Sequence, residues 1–326
     1  MIKKIAILVG GYSKESVISL ESGKIIYQNL CRNKYYPYKV FVSKNKWVMI
    51  DENNKEYPIN KKNFSVLVYG NTIKFDCVFI AIHGSPGENG IFQAYFELLN
   101  IPYTGCDFYN SSITFNKKYC LSFLNNFGIN TTKFVFLNKK EKFCKNKIIE
   151  TIGIPCFVKP NKSGSSLGVS KVKNKIELNF AINNAFKEDD EVIIESFLSG
   201  IEVSVGVFSF NNKKIFVLPI TEIISKNDFF DFESKYSGES KIITPANISK
   251  NLENKLQQIS KKIYKILNLS GVSRSEYIIV NNIPYFLEIN TIPALSKNSI
   301  LPKQLKAAGI SLSYFFHRII SSSITK

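Results

Sequence analysis

The sequence predicts an α/β protein in which an open parallel-sheet unit leads and strand-rich units follow. Three stretches carry that prediction. Ile5–Val9 is a continuous apolar run closed by Gly10-Gly11 and followed by a helical pattern through Leu30. Strand, tight turn and helix in that order describe an open α/β unit that binds ligands at the strand's carboxyl end. Pro155–Val172 reads as a hairpin, a short apolar strand that delivers Lys159 to a cap of small residues. Residues 271–290 read as two apolar strands joined by an Asn-Asn turn, a hairpin signal.

Composition bounds the rest. A chain of 326 residues with 44% hydrophobic content can bury a large core and build two or three packed units. It contains no apolar run long enough for a membrane span, and MIKKIAILVGG reads as a strand rather than a signal peptide, so a cytoplasmic protein is expected. The six cysteines lack CxxC or other close spacing, the pattern of scattered reduced thiols. The net charge of +17 invites a nucleic-acid reading. However, the lysines are spread through the chain beside Asn and Ile, arginines are few, and no basic stripe alternates with aromatics. No nucleic-acid partner is expected.

In chain order, Glu15 falls near the start of the first helix, where the dipole favours a carboxylate whether or not it has a further role. Phe64–Tyr69 and Cys77–Ile82 are strands, and the second runs into His83-Gly84-Ser85-Pro86-Gly87-Glu88-Asn89-Gly90 before a helix from Ile91. Of the two histidines, His83 at a strand end before glycine is a better site candidate than His317 on the last helix. Ser111–Phe127 reads as one helix carrying Lys117 and Lys118. Strand Lys133–Leu137, the Pro155–Val172 hairpin, helix Ile176–Phe186 and strand Glu191–Phe197 make a small middle unit. Strand patterns follow at Glu202–Phe210 and Lys214–Ile224, and a helix at Leu252–Leu267. Between them, residues 225–247 are polar, aromatic and irregular, and a loop of that length in a compact domain is usually a functional lid or disordered. Its Phe residues, with Lys235 and Tyr236, favour a lid.

Two of these stretches point to chemistry. Small residues from Ser163 to Gly168 let backbone N–H groups and hydroxyls approach phosphate oxygens closely, with Lys159 adding a point charge. An isolated Gly/Ser loop is more often an ordinary hairpin tip, and this one is no P-loop, since GxxxxGK[ST] is missing. In the C-terminal hairpin, Arg274 and Glu276 share one strand face, as do Glu288 and Asn290. Acids and an amide on strands that otherwise face a core are costly unless they bind something. Oxygen donors of this kind suit Mg²⁺ carrying nucleotide phosphates, and a salt-bridge network through Arg274 is the structural alternative.

These stretches together resemble the ATP-grasp fold, and most closely the D-alanine–D-alanine ligase family. The resemblance runs through GGYSKESVISLESG, HGSPGENGIFQ, PYTGCDFYNSS, FVKPNKSGSSLGVSKV, EVIIESFLSGIEVSV, FESKYSGES followed by PAN, and EINTIPALSKNSILP, in family order over essentially the whole chain. It implies a Rossmann-like N-terminal domain over residues 1–105, a central ATP-grasp subdomain over 106–199 and a C-terminal one over 200–326 with the lid loop 225–247. It also implies a homodimer. The implied reaction uses ATP and two Mg²⁺ or Mn²⁺ to join two D-alanines for peptidoglycan precursor synthesis. The first carboxylate attacks the γ-phosphate, and the second amine displaces phosphate from the acyl phosphate through a tetrahedral intermediate.

By matching position, the resemblance places Lys117, Lys159 and Lys235 on ATP phosphates, under the loop that contains Ser166. Glu195, Leu198 and Glu202 would line the adenine and ribose pocket. Ser165 and Tyr236 would support Glu15, which binds the first ammonium group, with His83 near that substrate's carboxylate. Arg274 and the Ala294 backbone would meet the oxyanion, Ser299 and the Ile300 backbone would bind the second carboxylate, and Glu276, Glu288 and Asn290 would hold the metal ions.

Some positions depart from the family pattern. Glu276 stands where aspartate is common, Ala294 where glycine is usual, Phe230 and Phe232 where the lid often has tyrosine, and Asn116 where aspartate precedes the lysine. None removes a charge that the outlined mechanism requires. Lys235-Tyr236 resembles the dipeptide-forming rather than the depsipeptide-forming lids, which favours D-alanine over D-lactate as acceptor. A related ligase with another acceptor would lack the set Glu15, Ser165 and Tyr236, and a decayed ATP-binding protein would bind nucleotide without releasing phosphate.

Overall fold

The computed structural model describes residues 2–210, 214–224 and 241–325. The lid residues Phe230, Phe232, Lys235 and Tyr236 lie outside the described residues.

The leading strand β1 (Lys3–Gly10) is buried over its last six residues, as its apolar run requires. It pairs in parallel with β2 (Tyr35–Val42) on one side and, past the strands β3 (Trp47–Ile50), β4 (Glu56–Asn60), β5 (Ser65–Val68) and β6 (Asn71–Ile73), with β7 (Cys77–Ile80) on the other. The parallel core is thus narrower than the sequence suggests. Strands β3 to β6 extend the same sheet beyond β2 as an antiparallel meander. Helix α1 (Ser16–Asn29) follows β1 through the Gly10-Gly11 turn, and both glycines have positive φ.

The segment Ser111–Phe127 is not one helix. Helix α2 (Ile91–Leu98) leads to α3 (Phe108–Phe115) and α4 (Lys117–Asn126), which are separated by Asn116 at φ −91° and ψ 102°. Asn116 leaves the helical region because its side chain caps α4, accepting from the Tyr119 N–H at 3.1 Å. The break ends α3 and puts Lys117 at the start of α4.

A second sheet is antiparallel, in the order β10 (Ser170–Val172), β9 (Cys156–Pro160), β11 (Glu191–Ser196), β8 (Phe134–Asn138). Helices α5 (Lys145–Ile152) and α6 (Glu177–Ala185) cover its buried face through Ile148, Ile152, Leu178 and Ile182. A third sheet is built on the long strand β12 (Ile201–Phe210), which pairs with β13 (Lys214–Val217), β14 (Thr221–Ile224) and β16 (Gly271–Val280). Strand β15 (Lys241–Ile243) adds to β14, and β17 (Ile283–Asn290) to β16. The turn between β16 and β17 is Asn281-Asn282, both at positive φ, the geometry that matches the twist of a two-residue hairpin.

The last helix, Leu312–Ile324, returns to the first sheet. Phe315 and Phe316 are fully buried there, and Phe316 meets Phe79 edge-on at 5.5 Å between ring centroids. The C-terminus and the N-terminal sheet therefore share one core, and the carboxyl end of β1 faces the third sheet. All six cysteines are free thiols, and among the described residues no helix is long and apolar enough to cross a membrane.

Candidate active site

Two cavities meet at one ion pair. The larger, about 520 Å³, lies between the second and third sheets and is lined by Lys117, Lys159, Ser166, Glu195, Leu198, Glu202, Glu276 and Glu288, among others. The smaller, about 100 Å³, lies against the carboxyl ends of β1 and β7 and is lined by Glu15, His83, Glu88, Ser165, Arg274, Asn290 and Ala294. Lys117, Ser163, Gly164 and Glu288 belong to both walls. Lys117 Nζ stands 3.3 Å from Glu288 Oε2 and donates to the Ser163 carbonyl at 2.7 Å. The start of α4, the tip of the β9–β10 hairpin and β17 thus converge on one point.

In the larger cleft, Lys159 Nζ pairs with Glu195 Oε2 at 2.7 Å across β9 and β11. Burial works against a charged lysine, but the carboxylates of Glu195, Glu288 and Glu276 outweigh it and hold the Lys159 pKa above its usual value. The second oxygen of Glu195, Oε1, is buried with no hydrogen-bond partner among the described residues. A buried acceptor left open on a cleft wall is a cost that a donor group on a ligand would offset.

The β16/β17 register sets Arg274 opposite Asn290 and Glu276 opposite Glu288, so these side chains converge on one face as the alternation requires. Arg274 Nη1 donates to Ser204 Oγ at 2.9 Å and is ion-paired with Glu276 Oε1. Asn290 Oδ1 accepts from the Ile292 N–H at 2.8 Å, which shapes the loop that carries Ala294. Two facing carboxylates and an amide oxygen form an all-oxygen donor set that fits a hard divalent cation such as Mg²⁺. Among the described residues no group of three or more His, Cys, Asp or Glu side chains could hold a metal, so such an ion would rely on this set and on a ligand's own oxygens.

Around the smaller cavity, Glu15 occupies the N-cap position of α1, but its side chain does not cap the helix. It is buried and turned across the site, where Ser165 Oγ donates to Oε1 at 2.5 Å. Ser165 and Ser166 both have positive φ, at 50° and 58°, a conformation that costs about 1 kcal/mol or more per non-glycine residue and persists only where the surroundings impose it. Glycine flanks the carboxylate on both sides. A Cβ on Gly84 would fall 2.6 Å from Glu15 Oε2, and one on Gly164 2.7 Å from Oε1.

His83 is buried, with Nε2 3.1 Å from Ser22 Oγ, and Ser22 Oγ also accepts from the Leu295 N–H at 3.1 Å. Burial lowers its pKa to about 4 despite a hydrogen bond to the Ile292 backbone, and the nearby charge of Arg274 lowers it further. A neutral imidazole therefore ties α1 to the Ile292–Leu295 loop. Glu88, which the sequence shows only as an acid in a glycine-rich turn, is buried beside it and accepts from the Gly84 N–H at 2.7 Å. Burial raises its pKa to about 8, helped by repulsion from Glu15. Ala294 is not among the residues with positive φ, so a residue other than glycine is unstrained at that position.

Not every expected residue reaches the cavities. Ser299 and Ile300 line neither of them. Ser299 is the N-cap residue of the helix Ile300–Ala307, with its hydroxyl 2.7 Å from that of Ser296, and Ile300 is buried in a small core with Ile223. In the other direction, Glu88 and Glu222 line the walls although the sequence reading gave them no role. For Glu88 the available signal was its place in HGSPGENG; Glu222 lies in an ordinary strand pattern that offered none.

Known proteins carry the same architecture. Residues 4–106 match the family described as D-ala D-ala ligase N-terminus, and residues 123–321 the one described as D-ala D-ala ligase C-terminus. A D-alanine--D-alanine ligase of Flavobacterium johnsoniae is 53% identical over 322 residues, 99% of either chain. Among solved structures, the VanG D-Ala:D-Ser ligase from Enterococcus faecalis superposes with a TM-score of 0.86 at 32% identity, covering 99% of this chain and all of that one. A D-alanine--D-alanine ligase from Bacillus anthracis complexed with ATP superposes with a TM-score of 0.79 at 29% identity, covering 99% of this chain and 98% of that one. The fold is therefore ATP-grasp, and the chain belongs to the D-alanine–D-alanine ligase family.

Proposed function

We propose that this chain is an ATP-dependent ligase that joins two D-alanines, and the observation that carries the reading is the meeting of the two cavities at Lys117 and Glu288. A cleft of about 520 Å³ suits a nucleotide, and a cavity of about 100 Å³ suits one small amino acid. Their shared wall is where a carboxylate held in one can attack the γ-phosphorus of a nucleotide held in the other.

In this reading Lys117 and Lys159 bind the phosphates beneath the Ser163–Gly168 loop, with Lys235 joining them from the lid. Glu195 Oε1 accepts from the adenine amine, Glu202 from ribose hydroxyls, and Leu198 packs on the base. Glu276, Glu288 and Asn290 hold Mg²⁺ or Mn²⁺, which supplies positive charge where the phosphate and carboxylate charges crowd together. Glu15 binds the first ammonium group and is itself held by Ser165 and Tyr236, with His83 close to the substrate's carboxylate. That carboxylate attacks phosphorus, the bond to ADP breaks, and an acyl phosphate forms. The second D-alanine, its carboxylate on Ser299 and the Ile300 N–H, attacks the acyl carbon through its amine. Arg274 and the Ala294 N–H donate to the resulting oxyanion before phosphate leaves with the electron pair of the broken C–O bond and takes up the proton that the attacking amine loses.

The partition at residues 105 and 199, a homodimer and a cytoplasmic setting belong to the same proposal, as does the use of the dipeptide in peptidoglycan synthesis. The chemistry is tested with D-alanine carrying ¹⁸O in its carboxylate. One labelled oxygen is expected in the released phosphate, and unlabelled phosphate would rule out the acyl phosphate route.

A further inference from the structure

Lys117 is useful at the junction of the two cavities only if the start of α4 is held in register with the loop after β9. Nothing in α4 itself does this, because the first N–H groups of a helix have no partners within it. The partner comes from the other side of the cleft. Asn161, the residue after β9, is completely buried. Its Oδ1 accepts from the Lys118 N–H at 2.8 Å, and its backbone carbonyl accepts from the Lys117 N–H at 3.3 Å. Its amide nitrogen donates to Asn116 Oδ1 at 2.9 Å and to Glu191 Oε2 at 3.0 Å, and its backbone N–H donates to the Glu191 carbonyl at 2.9 Å. Asn116 completes the cap, receiving the Tyr119 N–H on its side chain and the Cys120 N–H on its carbonyl.

The first four N–H groups of α4 are therefore shared between Asn116 within the chain's own approach to the helix and Asn161 from 43 to 45 residues away. Both protons and the oxygen of the Asn161 amide are engaged, so the side chain has one orientation that satisfies its surroundings. Glu191 is held in turn by Lys162 Nζ at 2.6 Å. Two residues further on, the Ser163 carbonyl receives Lys117 Nζ. Asn161 thus fixes both ends of the Lys117 side chain's placement: the backbone it springs from and the stem of the loop it reaches.

We propose that Asn161 is a positioning residue for the ligase reaction, a helix cap supplied from the opposite sheet that holds Lys117 in place to bind nucleotide. The inference rests on the reading of Lys117 as a phosphate ligand. It predicts a selective defect. Removing the Asn161 side chain takes no atom from the wall of the smaller cavity, since neither Asn161 nor Asn116 lines it, and reaches that cavity only through Lys117 and Ser163 on the shared wall, so nucleotide binding is the property affected most.

The test compares Asn161→Ala, Lys117→Ala and the double variant, measuring the affinity of each for a non-hydrolysable ATP analogue with Mg²⁺, with KM for D-alanine measured on Asn161→Ala. Asn161→Ala is expected to weaken analogue binding about tenfold while KM for D-alanine stays within about twofold, and it should add less than about twofold when Lys117 is already alanine. Should Asn161→Ala fail to fold, Asn161→Ser keeps a small polar group in that space and adds no charge beside Glu191, while it loses the amide donors to Asn116 and Glu191; a loss of about threefold or more is then expected. If Lys117→Ala weakens analogue binding and the Asn161 variants do not, Asn161 is purely structural and the proposal fails alone. If Lys117→Ala itself binds the analogue normally, the phosphate role of Lys117 fails, and this inference fails with it.

Discussion

Ser165 Oγ donates to Glu15 Oε1 at 2.5 Å, joining residues 150 positions apart in sequence across the mouth of the smaller cavity. The bond fastens the tip of the β9–β10 hairpin onto the N-terminal domain and adds to the contacts that orient a buried carboxylate. Gly84 and Gly164 leave room for it from both sides.

Ser165→Ala removes one charge-assisted hydrogen bond from the buried Glu15 carboxylate, a loss of about 1–3 kcal/mol. We expect kcat/KM for D-alanine to fall about 10- to 100-fold, with nucleotide affinity largely retained. Gly164→Ala is expected to be worse, because its Cβ would enter the space of Glu15 Oε1. Steady-state kinetics on the two variants check the order.

Arg274 lines the smaller cavity while its ion-pair partner Glu276 lines the larger one. Arg274→Ala should lower kcat about 10²- to 10³-fold, the usual cost of removing an oxyanion donor. Affinity for ATP should be kept, and the melting temperature should fall, since Glu276 is left buried without its partner. Normal turnover in this variant would remove the oxyanion assignment.

The pH dependence of stability has two opposed contributions from neighbouring groups. His83 has a folded pKa near 4, below its ordinary 6.5, so its contribution is complete above 6.5 and is lost as pH falls toward 4. Glu88 has a folded pKa near 8, above its ordinary 4.5, so its contribution is complete below 4.5 and is lost as pH rises through 8. Denaturant melts of His83→Gln should therefore show a shallower loss between pH 6.5 and 4. Those of Glu88→Gln, which keeps an acceptor for the Gly84 N–H, should show a shallower loss between pH 4.5 and 8.

Lys159 and Glu195 form a pair in which the acid is 2% exposed. Lys159→Met leaves that carboxylate without its cation and should cost about 3–5 kcal/mol. Adding Glu195→Gln should recover a large part of the loss, and a double-mutant cycle on unfolding free energies measures how much. Additive single effects would mean that the pair does not act as a unit.

Much of this arrangement was legible in the sequence because period and turn chemistry are local. The apolar run before Gly10-Gly11, the alternation of Arg274 with Glu276 and the Asn281-Asn282 turn each follow from a few adjacent residues. What was hidden depends on partners far along the chain. Asn116 reads as a helix interior until Asn161 is seen against it, which is why Ser111–Phe127 looked like a single helix. Glu88 gave no sign of its burial, which is set by where β7 ends relative to α1. Of the meander β3 to β6 only β5 is read, within Phe64–Tyr69, because the strands are short, three to five residues each, and only β4 alternates cleanly between buried and exposed positions. The roles of Glu15 and Ser165 were suggested by the family resemblance, whereas their contact is a fact of the folded chain.

The most direct test of the account is phosphate release from ATP with Mg²⁺ in the presence of D-alanine, L-alanine, D-lactate or no acceptor, with the product identified by mass. A D-alanine-joining ligase releases phosphate only when D-alanine is present and forms D-alanyl-D-alanine in step with ADP. Nucleotide binding without D-alanine-dependent release, or a depsipeptide formed from D-lactate in preference to the dipeptide, would contradict the account.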